Sequence, residues 1–407
     1  MNSRGPVAVV GAGVAGCAAA IRLAEQGIAV DLIEAVQQPQ PIGAGLLLQP
    51  TGQRVLAALG LLDETLAHGA RVDSLYGDTQ DGRPVLRMSY RDGEFGLGLQ
   101  RGALMGLLWQ RVRATPGLRW ICGEPVERYE QDASGVRLFA ADGSGVGSDR
   151  YEALILANGS FSRLREQMRV RQSARTFPWG AVWTVLPLPQ GFEAQGLRQR
   201  FRAARQMLGL MPVGRNYDDA PQAQPGINLF WSLPLDKVQA WPQTDAAGLP
   251  ALKCQMLELY PACEPVLEAL RDPAQLRQAR YADVLMSRWN DGRVLAIGDC
   301  GHGMSPQLGQ GANMALVDAH VLAAALPDCE DWPALFERYS RLRRAHLRFY
   351  TQASRALTPL FQSHQRLGPW FRDAFFGLGP HIPFIDQQSV AVLAGHKTGW
   401  LFGRLDL

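Results

Sequence analysis

Two stretches of this chain place glycines and carboxylates in patterns suited to phosphate and polyol chemistry. In the first, Gly11-x-Gly13-x-x-Gly16 follows the β-branched run Val7-Ala8-Val9-Val10 and opens the Ala-rich segment Val14 to Gln26. Gly11 permits a tight turn, Gly13 lets a pyrophosphate approach the backbone, and Gly16 lets the helix pack closely on the strand. The helix start, with Ala15 in its first turn, offers free N–H groups and a partial positive charge to an anion. Glu34, followed by Ala35, ends the next apolar strand, Ile28 to Ile33. Its carboxylate suits ribose hydroxyls and repels a 2′-phosphate. Gly11, Gly13, Ala15, Gly16, Glu34 and Ala35 are therefore candidate contacts to FAD or NAD. A glycine turn in an ordinary α/β protein is the alternative, but it does not require the strand, helix and acid in this order.

The second stretch decides between the two dinucleotides. Arg293 to His302 puts Asp299 at the end of a buried strand, and Pro306 to Asn313 puts a glycine loop at the start of a helix. The carboxylate suits the polyol that links a flavin to its phosphates. Free N–H groups around Gly309, Gly311, Ala312 and Asn313 suit the edge of the flavin ring, where negative charge develops on reduction.

With these residues the sequence resembles the single-component FAD-dependent aromatic hydroxylases, relatives of para-hydroxybenzoate hydroxylase. Their hallmark is Gly-Asp-Ala-Ala-His, then Pro, then Gly-Gln-Gly-x-Asn; here Cys300 and Gly301 replace the two alanines, a small-for-small change. The resemblance covers most of the chain. It implies that Arg101 lies against the FAD phosphates or ring and that the Pro306 carbonyl approaches the reactive flavin carbon, which makes Pro306 the one catalytic candidate. His302 belongs to the hallmark but is left out of the catalytic set. Leu154 to Arg163 is similar to the family's middle motif, Asp-Gly-x-x-Ser-x-x-Arg, associated with the FAD pyrophosphate and with NAD(P)H. Asn158 stands in place of its aspartate, keeping an acceptor and gaining two donors while losing the charge. Hydrogen bonding to the cofactor survives this replacement, whereas a role that depends on the aspartate's charge in reduction by NADH or NADPH does not.

The fold class this implies is α/β: a Rossmann-like FAD-binding domain, an inserted and mostly antiparallel β-sheet substrate domain, and C-terminal helices. The pattern along the chain places the first in residues 1–72, 98–175 and 276–350, the second in 73–97 and 176–275, and a helical segment in 351–407. Between Val72 and Leu99 the hydrophobicity alternates, with turns at Asp81-Gly82 and Asp92-Gly93, as in antiparallel strands. Trp179, Ala181, Trp183 and Val185 alternate along one strand, and Ile227, Leu229 and Trp231 along another, while Gln190 to Pro225 between them is Arg- and Gln-rich and then Pro-rich. Such aromatics serve an apolar cavity or an ordinary core equally well. Trp183 and Trp231 are the substrate candidates from this region. Leu47 and Gln49 join them from the loop Ile42 to Pro50, which resembles the segment passing beside the flavin in relatives. Trp370 to Phe376 reads as a greasy helix suited to a core, a dimer contact or an interface.

The activity implied by the resemblance is that of a monooxygenase. FAD is reduced by NADH or NADPH, O₂ adds at the flavin C4a carbon, and the hydroperoxide hydroxylates or epoxidises an aromatic, polycyclic or polyketide-like small molecule. A flavin-dependent dehydrogenase, desaturase or reductase without oxygen insertion is the alternative, and a non-catalytic FAD-binding redox sensor a third. A flavin halogenase is disfavoured, because Phe230-Trp231-Ser232-Leu233-Pro234 only superficially matches the Trp-x-Trp-x-Ile-Pro pattern.

Bulk properties agree with a globular enzyme. The 407 residues are 47% hydrophobic and 19% charged, enough for several packed units. With a net charge of +3 and Lys and Arg scattered along the sequence, nothing resembles the basic stripe of a nucleic-acid binder, and small substrates fit better. Six dispersed cysteines without a CxxC pair argue against a metal site or a disulfide framework, and for a cytoplasmic protein. No integral membrane segment is expected, and the assembly is expected to be a monomer or a homodimer.

Overall fold

The computed structural model describes residues 5–41, 43–193, 195–240 and 248–405. Ile42, and those parts of the ranges above that reach residues 1–4, 194, 241–247 and 406–407, lie outside the described residues. Val7–Val10 is completely buried, as a strand covered on both faces must be, and pairs in parallel with Val30–Glu34 and Ala153–Leu156. Leu118–Cys122 and Val294–Ala296 extend this sheet on either side, and Asn290–Asp291 closes one edge antiparallel. Every strand read from the two glycine motifs is in this sheet.

The helices Val14–Ala24 and Gly311–Ala325 pack on one another over it. Both are rich in alanine, which lets their axes come close. Gly16 shows how close: a Cβ there would lie 1.8 Å from the Gly11 carbonyl oxygen. Gly11 itself takes φ +106°, a backbone conformation that glycine adopts freely.

The second sheet has seven strands, in the order Arg277–Met286, Gln172–Pro187, Gly226–Pro234, Gln206–Gly214, Gly196–Arg202, Ser74–Thr79 and Pro84–Ser89. All neighbours are antiparallel except Gly196–Arg202 with Ser74–Thr79. Two of these strands fall between Gln190 and Pro225, where the composition suggests no particular element. Gly196–Arg202 alternates Leu197, Gln199 and Phe201 with three arginines, so its period is hidden by charge. Gln206–Gly214 carries Gly209 and Pro212, which weaken a strand signal although the strand lies centrally in the sheet. A three-stranded sheet, Gly45–Leu48, Gly96–Gln100 and Ala70–Val72, joins the two halves.

The long helix Trp332–Phe361 passes through residue 350, so the C-terminal segment begins inside an element. The helices Leu367–Phe375 and Pro383–Leu393 follow it. Trp370, Phe371 and Phe375 are exposed, so the greasy helix is not core. Among the described residues no helix is long and apolar enough to cross a membrane, and no cluster of His, Cys, Asp or Glu could hold a metal ion.

Candidate active site

The two glycine motifs meet in space. A Cβ on Gly298, which has φ +58°, would lie 2.7 Å from the Cβ of Ala15 in the first turn of the first helix. Asp299 follows Gly298 with its side chain exposed, and its Oδ1 would lie 3.7 Å from a Cβ on Gly311 at the start of the other helix. A Cβ on Gly13 would meet nothing within 4 Å. The three glycines of the first motif thus have three different surroundings: a constrained turn at Gly11, open space at Gly13 and close packing at Gly16. Glu34 ends its strand with Oε2 accepting from the Ala12 N–H at 2.9 Å and Oε1 from the Val36 N–H at 3.0 Å. Its carboxylate is thereby aimed beside the helix start, and Ala35 is exposed next to it.

These surroundings fit FAD. An exposed carboxylate, two helix starts without side-chain caps and open backbone at Gly13 provide acceptors for hydroxyls and donors for phosphate in one place. Buried Gln49 adds an orphan donor. Its Oε1 accepts from the Tyr90 hydroxyl at 2.5 Å, while its Nε2 has no partner and would lie 3.9 Å from a Cβ on Gly309. Arg101 is exposed at the start of Arg101–Ala114, under the loop that carries Gly43.

Other named residues have their polar groups committed within the fold. Asn313 is buried; its Oδ1 accepts from the Gln49 N–H at 2.7 Å and its Nδ2 donates to the carbonyls of Leu47 and Gly309 at 3.1 Å each. Its side chain ties the two loops together, which leaves only its backbone for a cofactor. Pro306 begins a turn in which its carbonyl accepts from the Gly309 N–H at 2.9 Å, and Ser305 before it bonds to Ser354 and Thr358 of the long helix. Ala312 is half-buried beside Gly311. Asn158 is exposed after the strand Ala153–Leu156, with its backbone against Gly11.

Two substrate candidates are corrected. Trp231 is 0% exposed and stands opposite Val182, on the sheet face that packs against the helix Gly248–Leu259; its indole N–H finds no acceptor there. A one-residue shift in reading the strand moves every side chain to the other face, and here Asn228, Phe230 and Ser232 take the inner one. Leu47 is also core, packed with Val72, Leu75, Met211 and Val213 between the sheets. Trp183 does lie on the inner face, half-buried and opposite Phe230.

Sequence reasoning missed several residues. Buried Asn228 accepts from the Gly45 N–H at 2.9 Å and so holds the loop over the inner face. Tyr281 projects from the same face by strand alternation, and burial pushes its phenol up, well above the ordinary value. Arg165, at the spacing of the middle motif's arginine, is buried and donates to the carbonyls of Ser160 and Cys300, at 2.8 and 3.2 Å. The spacing Ser162-x-x-Arg165 was the available signal. His302 bonds through Nε2 to Oδ2 of buried Asp318 at 2.6 Å, and the same oxygen accepts from the Gly298 N–H at 2.8 Å.

The FAD binding domain family matches residues 4–215 and 258–354. The chain belongs to that family. It is 28% identical over 360 residues to the FAD-dependent urate hydroxylase of Klebsiella pneumoniae, covering 82% of this chain and 85% of that one. It is also 28% identical to the 6-hydroxynicotinate 3-monooxygenase of Bordetella bronchiseptica, over 85% of this chain and 90% of that one. Among solved structures, Klebsiella pneumoniae HpxO complexed with FAD and uric acid superposes with a TM-score of 0.79 at 24% identity, covering 96% and 97% of the two chains. The chain is thus a flavoprotein of the single-component FAD-dependent aromatic hydroxylases and an FAD-dependent monooxygenase. Hydride transfer without oxygen insertion is not favoured by relatives named hydroxylase and monooxygenase.

Proposed function

We propose that this flavoenzyme hydroxylates a compact, planar aromatic or heteroaromatic compound in the cytoplasm, with NADH or NADPH as reductant. The observation that carries the reading is the meeting of the two glycine motifs, Gly298 against Ala15 and Asp299 beside Gly311, with Asp299 exposed and the backbone at Gly13 open. The neighbouring loop is tied through Gly45 to Asn228 on the inner sheet face that bears Trp183, Phe230 and Tyr281. Urate and 6-hydroxynicotinate, named for the relatives, are substrates of this kind.

Bound FAD would supply activation of O₂ for transfer of one oxygen atom to the substrate. The chain's own groups bind, orient and exclude water. Glu34 and Asp299 accept from ribose and ribityl hydroxyls. The N–H groups at Gly13 and Ala15 would receive the pyrophosphate, and those at Gly311 and Ala312 would offer donors to the electron-rich edge of the ring. Arg101 adds a cation to the phosphates. Trp183 and Phe230 form an apolar wall that keeps water from the reacting centre. Tyr281 stays protonated at neutral pH and so donates a hydrogen bond to a substrate oxygen. Asn158 binds through its amide where the family has a carboxylate.

Stopped-flow reduction of the FAD-loaded protein by NADH and NADPH, with and without a panel of hydroxylated pyridines, purines and benzoates, tests the reading. A compound that speeds reduction and acquires ¹⁸O from ¹⁸O₂ supports it. Product oxygen derived from water, or hydride transfer that proceeds without O₂ consumption, would overturn it.

A further inference from the structure

Two features of the C-terminal part take no share in the cofactor cradle. The first is the outward face of the long helix. At 3.6 residues per turn, Glu337, Arg341, Arg344, Arg348, Gln352 and Arg355 fall on one stripe. Arg341, Arg344 and Arg348 are exposed and make no ion pair among the described residues, whereas Arg355 reaches Asp283 at 3.5 Å. From Arg341 to Arg355 the stripe runs roughly 21 Å.

The second feature is a tight hairpin. Lys397 bridges to Arg404, the Leu405 N–H donates to the His396 carbonyl at 2.7 Å, and the Thr398 N–H donates to the Gly403 carbonyl at 3.2 Å. Its tip is Trp400, Leu401 and Phe402, exposed by 57%, 62% and 79%. The tip is held rather than dangling: Lys397 Nζ donates to the Leu401 carbonyl at 3.2 Å, the Trp400 ring meets Phe349 edge-on at 5.3 Å, and its indole N–H lies 3.3 Å from Gln352 Oε1. Gln352 is on the arginine stripe, one turn beyond Arg348. Beside it opens a groove of about 190 Å³, lined by Met286, Trp289, Gly301, His302, Arg348 and Arg355 among others.

We propose that this face docks on an anionic lipid surface. Trp400, Leu401 and Phe402 enter the boundary between headgroups and acyl chains, Arg341, Arg344 and Arg348 contact lipid phosphates, and one headgroup occupies the groove. Charge and apolarity together select this occupant. A soluble anion would leave the apolar tip without a partner, and a second copy that covers the tip must also bring carboxylates to three exposed arginines. A bilayer with acidic headgroups satisfies both. This inference is independent of the substrate assigned above.

Co-sedimentation of the FAD-loaded protein with vesicles of phosphatidylglycerol and phosphatidylcholine, and with phosphatidylcholine alone, tests it. Binding is expected to the acidic vesicles, weakening as salt rises. Arg341→Glu/Arg344→Glu/Arg348→Glu is expected to weaken it on the order of a hundredfold, and Trp400→Ser/Phe402→Ser at least about tenfold, both with unchanged flavin spectra because the altered side chains lie outside the cradle. Absence of binding to acidic vesicles at low salt, or binding indifferent to both variants, refutes the proposal. So does full competition by millimolar inorganic phosphate at constant ionic strength, which would make the groove a soluble-anion site. A concentration-dependent dimer dissolved by Trp400→Ser/Phe402→Ser would assign the tip to a second copy instead.

Discussion

Replacing Asp318 with Asn removes one charge from the centre of the hallmark region and changes almost nothing in volume. Asp318 and Arg343 are both 0% exposed and joined at 2.8 Å between Oδ1 and Nε. Burial alone would raise the Asp318 carboxyl, but the charges of His302 and Arg343 and the bonds from His302 and the Gly298 N–H hold it well below the usual carboxylate range. With Asn in its place the Arg343 guanidinium is left buried without a counter-ion, and one amide N–H₂ must face donors. Losing one partner of a buried pair destabilises by about 3–5 kcal/mol. For 407 residues that corresponds to a fall in midpoint of roughly 4–6 °C, taking an unfolding entropy of about 2.1 cal/mol/K per residue.

A second consequence concerns the cofactor. The Gly298 N–H is held by the carboxylate that the variant loses, and Gly298 sets the direction of Asp299. Affinity for FAD is therefore expected to fall about tenfold, measured by quenching of flavin fluorescence. The double variant Asp318→Leu/Arg343→Met separates the two effects. It removes the buried charges together and should recover most of the midpoint, because apolar replacement of a buried pair is often neutral. It should not recover FAD affinity, since leucine offers the Gly298 N–H no acceptor. An Asp318→Asn protein with unchanged midpoint and unchanged FAD affinity would refute the account of this network.

Three further outcomes are expected. Gly13→Ala should keep the midpoint of the FAD-free protein and lose FAD affinity, whereas Gly16→Ala should lower that midpoint by several degrees, because its Cβ would meet the Gly11 carbonyl at 1.8 Å while that of Gly13 meets nothing; thermal scans without flavin distinguish them. Asp299→Ala should weaken FAD about ten- to a hundredfold, the range for a hydrogen bond to a charged group, with a stability change below about 0.5 kcal/mol because the side chain is exposed. Burial and the neighbouring Arg343 lower the His346 pKa to about 3, so the folded protein keeps it neutral, with Nδ1 accepting from Arg343. The unfolded chain takes up a proton below its ordinary value of about 6.5, so stability is full above that pH and falls as pH drops toward 3. The loss is about 2 kcal/mol between pH 6.5 and 5, and His346→Gln should flatten that part of the midpoint profile.

The parallel sheet and its two glycine loops were legible in the sequence because each piece obeys a local rule. Buried parallel strands are continuous apolar runs, and a phosphate loop needs its glycines at fixed offsets. The antiparallel sheet was legible only where alternation was clean. Arg198, Arg200 and Arg202 concealed one strand, and Gly209 and Pro212 another. Which face of a legible strand looks at the site was not readable at Trp231, because an aromatic in a strand suits a pocket and a core alike, and the outer face here is covered by the helix Gly248–Leu259. Asn228, Tyr281 and Asp318 were invisible for a different reason. Asn228 and Asp318 act through partners distant in sequence, Gly45 and Gly298, and Tyr281 reaches the inner face only through the register of its strand.

The hallmark itself divides into two kinds of residue once partners are counted. Asn313 and Arg165 have their polar groups bonded within the fold, and His302 is held through Nε2 by buried Asp318 while its Nδ1 has no partner, so the three hold loops in place. Asp299, Arg101 and Gly13 face space that the protein leaves open, and the buried amide of Gln49 has no partner. Asn158 falls in the second group: it is exposed and follows a strand of the parallel sheet. A carboxylate at such a place would repel the phosphates of FAD or of a nicotinamide cofactor nearby, while an amide presents two donors to them. Asn158→Asp is thus expected to leave the midpoint unchanged and to slow reduction by NADH or NADPH more than it weakens FAD. Faster reduction in that variant would show that the family's charge acts on the reductant, and that this chain has given that role to another group.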